Sequence, residues 1–217
     1  MNKRIDTVLF DLDGTLINTN ELIISSFMHV MDHYYPGEYS REDVLQFMGP
    51  PLIESFQALN PEKTDEMVNF YRAYNQKVHD ELVTPFEGVD ETVKELHKRG
   101  IKMAIVSTKR HEMVLRGLKL MKLDQYFDVV IGLDDVEHAK PHPEPLNKAL
   151  KALGSTADQA IMIGDNHHDI EGGHNAGTRT AGVAWTSKGK EHLAAYKPDF
   201  MLEEMSDLLN IIEESGS

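Results

Sequence analysis

Cysteine is absent from the 217 residues of this chain. Its absence excludes disulfides, a thiolate nucleophile and a cysteine-based metal site, and it fits a reducing compartment. Long apolar runs are also missing, because no stretch approaches the roughly 18 residues that a membrane-spanning helix requires. The opening residues, Met1 to Asp6, include no apolar segment typical of a signal peptide. We therefore expect a cytoplasmic protein that does not associate with membranes.

Positive charge is scarce, because 22 Lys and Arg residues face 36 Asp and Glu residues and the formal net charge is −14. Nucleic acids and anionic membranes favour basic surfaces, so neither is expected as a partner. A phosphorylated substrate would need local positive charge, from a metal ion or from a few well-placed lysines. The length indicates one domain of ordinary size with a smaller insert.

Short apolar runs alternate with helical patterns over most of the chain. This alternation predicts a doubly wound, mostly parallel α/β sheet with helices on both faces. In such sheets ligands bind at the carboxyl ends of the strands. The predicted strands lie near residues 7–10, 102–107, 129–132, 160–164, 180–184 and 199–201.

The segment between the first two predicted strands is too long for a simple crossover. Its helical patterns lie near residues 21–34, 41–47, 51–59 and 62–82. We predict an all-helical cap of residues 18–84, inserted into an α/β catalytic core of residues 1–17 and 85–217. Gly49 and Pro50 form the candidate loop that closes over the substrate, although the same residues fit a simple break between helices.

Two strands of the predicted sheet end in acidic residues. Asp11 and Asp13 follow the first strand two positions apart, so both carboxylates can face the same way. Asp165 and Asp169 follow the fourth strand, where a helix begins. Asp169 could orient water or a neighbouring group from the first helical turn. The first pair alone also fits an ordinary turn, and either Asp165 or Asn166 alone could merely cap the helix. Capping does not explain why two strands end in acids.

Carboxylates gathered at one edge of a sheet repel one another unless a cation lies among them. Carboxylate oxygens are the hard ligands that Mg²⁺ prefers, so we expect Mg²⁺ near Asp11, Asp13 and Asp165. A carboxylate is already ionised at neutral pH, which makes Asp11 a candidate nucleophile toward phosphorus. Asp13 is the candidate acid/base, because it could protonate the leaving oxygen and then deprotonate water.

Hydroxyl groups and lysines that could bind phosphate follow the strand ends. Thr15 lies just beyond the first acidic pair, where its hydroxyl could hold a carboxylate. Ser107 and Thr108 follow the second strand near a helix start, which is a suitable place for an anion. Lys140 lies in a proline-bounded loop, which can place its ammonium against phosphate and Asp11. Lys109 could neutralise the second phosphate of a diphosphate. Taken singly, Ser107 also fits a helix cap and both lysines fit ordinary surface positions.

The adjacent histidines His167 and His168 raise a different possibility, a transition-metal site. Neighbouring side chains on a helix are expected to point apart. We therefore do not expect the two rings to reach one ion.

These residues, in this order, resemble the four motifs of the haloacid dehalogenase superfamily of phosphatases. The resemblance implies that Asp11 is the nucleophile and Asp13 the acid/base, with phosphate held by Ser107 and Lys140. It also implies Mg²⁺ ligation by Asp11, the Asp13 carbonyl and Asp165. Many members carry Ser or Thr where this chain has Asn166. The matching segments are Asp11-x-Asp13-Gly14-Thr15, Ser107, Lys140-Pro141, and Gly164-Asp165 with Asp169.

The helical insert resembles the small cap of the subgroup that includes phosphoglycolate phosphatases and β-phosphoglucomutases. Segments 47–52, 106–109, 164–170 and 181–185 are most similar to inorganic pyrophosphatases of Gram-positive bacteria. The resemblance implies a small phosphorylated substrate, pyrophosphate, with phosphoglycolate or another small phosphomonoester as the alternative. A phosphomutase and a catalytically silent binder of a phosphorylated ligand remain open, since the core residues alone do not separate them.

Overall fold

The computed structural model describes residues 4–216 of the chain. It divides into two compact units, one made of the residues up to Ile17 together with those from Pro85 onward, the other of Asn18–Thr84. Residues 1–3 and 217, which the sequence assigned to the catalytic core, lie outside the described residues. Among residues 4–216, no helix is both long enough and apolar enough to cross a membrane.

The first unit is built on a parallel sheet of six strands. The strands are β1 Thr7–Phe10, β2 Lys102–Val106, β3 Val129–Ile131, β4 Ala160–Gly164, β5 Arg179–Val183 and β6 Phe200–Leu202. Neighbouring strands stand in the order β3-β2-β1-β4-β5-β6, and each pair is parallel. This is the doubly wound order, in which the direction of winding reverses between β1 and β4 and leaves a crevice at their carboxyl ends.

Three helices and two 3₁₀ turns make up the second unit. Helices α1 Asn20–Tyr34 and α3 Thr64–Leu82 pack along each other, with α2 Leu52–Leu59 against α3. Their buried face is aromatic, with Phe27 and Phe56 at its centre. The predicted helix at 41–47 is only a 3₁₀ turn, Asp43–Phe47, because the chain becomes extended at Met48 and Gly49 takes a φ of 110°. The second 3₁₀ turn is Pro61–Lys63.

The helices of the first unit cover the sheet between successive strands. These helices are α4 Val89–Lys98, α5 His111–Leu120, α6 Glu144–Leu153, α7 His167–Ala176, α8 Lys190–Ala194 and α9 Asp207–Glu214. On one face of the sheet, α6 packs on β2 and β3, and α7 packs on β4 and β5. The core of this face joins Leu9 and Met162 of the sheet to Leu146 and Leu150 of α6.

The predicted fold class is confirmed, since all six predicted strands exist and form one parallel sheet. The sequence missed α8, whose five residues are too few to show a helical period. It also missed a small two-stranded sheet that pairs Ile17–Asn18 with Thr84–Pro85, where the chain passes between the two units. Strands of two residues carry no alternation that a sequence could reveal.

Candidate active site

Asp11 lies immediately after β1 and is 8% exposed. Its backbone N–H donates to the carbonyl of Ile163 in β4 over 2.9 Å. This bond to the neighbouring strand fixes the backbone position from which the Asp11 side chain extends. Its Oδ1 accepts a hydrogen bond from Lys140 Nζ, also over 2.9 Å. A carboxylate is thus held at the carboxyl edge of the central strand, with an ammonium at its side.

Lys140 is the buried cation of the site, with a side chain that is 2% exposed. Its Nζ donates to Asp11 Oδ1, to Asp169 Oδ1 over 2.7 Å and to the carbonyl oxygen of Val106 over 2.6 Å. Burial lowers the pKa of Lys140, but the two carboxylates outweigh burial and raise it above its ordinary value. The reading of Lys140 as a solvated surface residue is therefore wrong.

Asp165 follows β4 and lies beside the backbone of Gly14. A Cβ at Gly14 would lie only 2.3 Å from Asp165 Oδ2, and Gly14 has a φ of +79°. Both the steric overlap and the left-handed backbone conformation therefore exclude a side chain at this position. The hydroxyl of Thr186 donates to the backbone carbonyl of Asp165 over 2.8 Å, which anchors the loop that carries Asp165. One carboxylate oxygen from each of Asp11, Asp165 and Asp169 lies within 4.8 Å of the other two.

The acidic cluster is electrostatically unfavourable without a further cation. Burial raises the pKa of Asp11 to about 7, with added repulsion from Asp169 and Asp13, against the opposing effect of Lys140. Burial, followed by repulsion from Asp11, raises the pKa of Asp165 well above its ordinary value. Ligands that are all carboxylate oxygens in a small buried site fit a hard cation such as Mg²⁺.

The carboxylate of Asp169 is already used within the protein, although it belongs to this cluster. Its Oδ1 accepts from Lys140, and its Oδ2 accepts the backbone N–H of Asn166 over 3.0 Å. The Asn166 side chain in turn accepts the backbone N–H groups of His168 and of Asp169, and the bond from Asp169 completes a capping box at the start of α7. The capping role is therefore correct for Asn166, and Asp169 both caps the helix and positions Lys140. Asp11 and Asp165 remain as the carboxylates available to a cation.

The Asp13 carboxylate is paired with a lysine and is not part of the three-carboxylate group. Its Oδ1 lies 2.9 Å from Lys109 Nζ, and both side chains are 18% exposed. The ligand that the family resemblance implies at this position is the Asp13 carbonyl, which does not require the carboxylate to leave Lys109. Lys109, which we expected to face a second phosphate, forms an ion pair with Asp13, the candidate acid/base.

The predicted phosphate-binding hydroxyls differ in their surroundings. Ser107 is 6% exposed, and its Oγ accepts the backbone N–H of Lys109 over 3.1 Å, which is the contact of a turn. Thr108 is half-buried next to it. Thr15 is fully buried, and its hydroxyl has no hydrogen-bond partner within the described chain. The prediction that Thr15 holds a carboxylate is wrong, because the hydroxyl is enclosed and the carboxylates bind Lys140 and Lys109.

Sequence reasoning missed Lys188 and misjudged the two histidines. Burial lowers the pKa of Lys188, while Asp165 and Asp169 oppose that effect, so this ammonium acts on the same acidic cluster. The rings of His167 and His168 lie 3.9 Å apart, so the expectation that they diverge is wrong. His168 Nδ1 instead contacts Asn166 Oδ1 at 2.8 Å, beside the acidic loop. Gly49 and Pro50 lie in the second unit, between its first 3₁₀ turn and α2.

The stability of the metal-free protein is expected to fall as the pH rises. Asp11 binds its proton more tightly in the folded chain, where its pKa is about 7 instead of 3.8. The folded state therefore binds more protons across this range, and the free energy of unfolding declines between pH 4 and 7 by up to about 4 kcal/mol. Urea unfolding in EDTA at several pH values measures the decline, and Asp11→Asn removes the contribution. A stability of the wild type, relative to that of Asp11→Asn, that stays flat or rises with pH would contradict the assignment.

Comparison with known proteins gives a consistent set of similarities. The family model described as haloacid dehalogenase-like hydrolase matches residues 8–183. The chain is 62% identical over 208 residues to a protein of Anoxybacillus flavithermus named pyrophosphatase PpaX, covering 96% of this chain and 97% of the relative. A protein of the same name from Bacillus cereus is 60% identical over 211 residues, covering 97% and 98%.

Solved structures show the same architecture. A haloacid dehalogenase-like hydrolase from Bacteroides fragilis superposes with a TM-score of 0.85 at 27% identity, covering 94% of this chain and all (100%) of the other. A structure from Clostridium acetobutylicum, titled a predicted phosphatase, gives a TM-score of 0.87 at 25% identity, covering 98% and 100%. The fold therefore agrees with the sequence relationship.

Proposed function

Because this chain belongs to the haloacid dehalogenase-like hydrolases, we propose that it is a Mg²⁺-dependent phosphohydrolase that splits inorganic pyrophosphate through an aspartyl-phosphate at Asp11. The observation that carries the proposal is the buried Asp11 carboxylate, which lies 2.9 Å from the Lys140 ammonium and beside Asp165. The preference for pyrophosphate rests on the names of relatives that are about 60% identical over nearly the whole chain.

The first half of the reaction forms a bond between an Asp11 carboxylate oxygen and one phosphorus of pyrophosphate. The bond from that phosphorus to the bridging oxygen breaks, and the departing phosphate takes a proton from Asp13. Lys140 holds the Asp11 carboxylate in a fixed direction, which lowers the cost of orienting the nucleophile. It also places positive charge beside the phosphoryl oxygens.

The second half returns the phosphoryl group to water. Asp13 removes a proton from the attacking water, the new bond forms at phosphorus, and the Asp11 carboxylate leaves. Asp11, Asp165 and the Asp13 carbonyl would hold Mg²⁺. The ion, when bound, neutralises charge on the phosphoryl oxygens and offsets the repulsion among the carboxylates.

Lys109 and the helical unit are assigned to substrate recognition. Lys109 Nζ lies 2.9 Å from Asp13 Oδ1, so its ammonium is close to the acid/base and can pair with the second phosphate of the substrate. Ser107 and Thr108 supply donors for the phosphate that is transferred. The unit Asn18–Thr84 serves as the cap, with Gly49 and Pro50 as its substrate-facing loop. The cytoplasmic location stays a prediction.

A substrate panel tests the activity directly. We expect phosphate release from pyrophosphate with Mg²⁺ present, little release after EDTA treatment, and at least about 10-fold lower kcat/KM on phosphoglycolate and sugar phosphates. A higher kcat/KM on phosphoglycolate would overturn the choice of substrate while leaving the chemistry intact. No release from any substrate would support a silent binding protein, and transfer between sugar positions would support a mutase.

Gly14→Ala is expected to weaken Mg²⁺ binding at least about 10-fold, because the new Cβ would displace the Asp165 carboxylate. Gly154→Ala is the matched control, since Gly154 also has a positive φ, of +60°, but has nothing within 4 Å of the new Cβ. Both variants should lose about 1 kcal/mol of stability through backbone strain. The dependence of hydrolysis on Mg²⁺ concentration separates them, and equal Mg²⁺ requirements would argue against Asp165 as a ligand.

A further inference from the structure

One other group of three potential metal ligands occurs within residues 4–216, apart from the acidic cluster. It consists of His138, His142 and Glu144, and one ligand atom from each lies within 4.8 Å of the other two. The group lies in the connection from β3 to α6, and Glu144 is the first residue of α6. None of the three side chains has a role in the proposed reaction.

The carboxylate of Glu144 is held in a fixed orientation. Its Oε1 accepts the backbone N–H of Glu137, and its Oε2 accepts that of His138, both over 2.9 Å. A carboxylate has about four lone-pair positions, so these two bonds leave acceptor capacity for an ion.

The imidazole of His138 lies as close to the Glu144 carboxylate as two ligands of the same metal ion lie to each other. Its Nδ1 lies 3.1 Å from Glu144 Oε2. Two ligand atoms that are each about 2.0–2.1 Å from a tetrahedral zinc ion lie roughly 3.3 Å apart. A small adjustment would therefore let both atoms contact the same cation.

The second imidazole completes the set. The backbone N–H of Glu144 donates to His142 Nδ1 over 3.2 Å, and the His138 and His142 ring centroids lie 4.6 Å apart. Capping of α6 accounts for Glu144 and for the bond from its N–H to His142 Nδ1, but it gives no reason for the two imidazole rings to lie beside each other. The His138 side chain is 61% exposed and that of Glu144 is 30% exposed, so an ion can reach them without unfolding.

We propose that His138, His142 and Glu144 bind one divalent transition-metal ion of the zinc class, at a site separate from the acidic cluster. Two imidazoles and one carboxylate suit Zn²⁺, Ni²⁺ or Cu²⁺, whereas Mg²⁺ prefers oxygen ligands only. The three protein ligands leave a fourth position open to water. Lys140 lies between the two histidines in the chain, so the ion would bind the loop that carries this buried lysine.

Calorimetric titration of the tag-free protein with Zn²⁺, in millimolar Mg²⁺ at neutral pH, tests the proposal. We expect one equivalent of Zn²⁺ to bind, and His138→Ala and His142→Ala each to weaken that binding at least about 10-fold. His97→Ala is the matched control, because His97 is an exposed histidine of α4 that belongs to neither metal-ligand group within residues 4–216. This control should bind Zn²⁺ as the wild type does.

Thermal unfolding supplies a second, independent readout. Zn²⁺ should raise the midpoint of the wild type and of His97→Ala in Mg²⁺ buffer, and should raise that of His138→Ala much less. Without Zn²⁺ the alanine variants should melt within roughly 4 °C of the wild type, since each loses an exposed side chain and one hydrogen-bond contact worth about 1 kcal/mol. Absence of Zn²⁺ binding at about 100 μM, or binding that survives both substitutions, would overturn the proposal.

Discussion

Asp11→Asn is expected to lower the rate of pyrophosphate hydrolysis at least about 10⁴-fold, because the amide cannot form the covalent intermediate. The folded structure should persist, since the side chain keeps its shape and Lys140 retains Asp169 and Val106 as partners. In metal-free buffer at pH 8 the variant should be at least as stable as the wild type, because a buried, repelled carboxylate is replaced by a neutral group. Initial rates in Mg²⁺ and urea unfolding in EDTA measure the two effects.

The control for this variant is Asp128→Asn, which changes an exposed aspartate in the same unit. It should keep wild-type rates and stability within about 0.5 kcal/mol. Hydrolysis by Asp11→Asn at a rate within about 10-fold of the wild-type rate would rule out Asp11 as the nucleophile.

Lys140→Met is expected to cost both stability and activity. Methionine fills similar space but leaves the Asp11 and Asp169 carboxylates and the Val106 carbonyl without their shared donor. Removing one partner from a buried ion pair typically costs about 3–5 kcal/mol, because an uncompensated charge stays buried. The loss should be smaller at pH 5 than at pH 8, since a protonated Asp11 needs no cation. Activity should fall at least about 10²-fold, through lost orientation and charge.

Lys151→Met in α6 is the matched control, because Lys151 is an exposed lysine. It should change the free energy of unfolding by less than about 0.5 kcal/mol. Chemical denaturation of both variants at two pH values gives the comparison. A Lys140→Met protein as stable as Lys151→Met at pH 8 would show that the buried ammonium does not hold the acidic cluster together.

The architecture was predictable because its signals are local. Buried strands of a parallel sheet are nearly continuous apolar runs, and most of those here are followed by a polar turn and a helical pattern. Right-handed crossovers then bring the ends of β1 and β4 to the same edge, which is enough to predict that Asp11 and Asp165 meet. Short elements such as α8 lack this signal, because five residues do not complete two helical turns.

The contacts within the site were less predictable, because they join side chains far apart in the sequence. Residue types and strand ends indicated Lys140 near phosphate, but the three acceptors of its ammonium come from three different segments. The Lys109–Asp13 pair and the enclosed Thr15 hydroxyl likewise depend on packing. Asp169 is an example: its place in the first turn of a helix was visible in the sequence, but its bond to Lys140 was not.

Detection of a phosphoryl group on Asp11 tests the central claim most directly. Protein mixed with pyrophosphate and Mg²⁺ would be quenched in acid within milliseconds, digested, and analysed by mass spectrometry for the peptide that contains residues 7–16. We predict a phosphoryl adduct on Asp11 that forms and decays at rates matching turnover, and that is absent from Asp11→Asn. Full turnover accompanied by an adduct on a different residue would contradict the account.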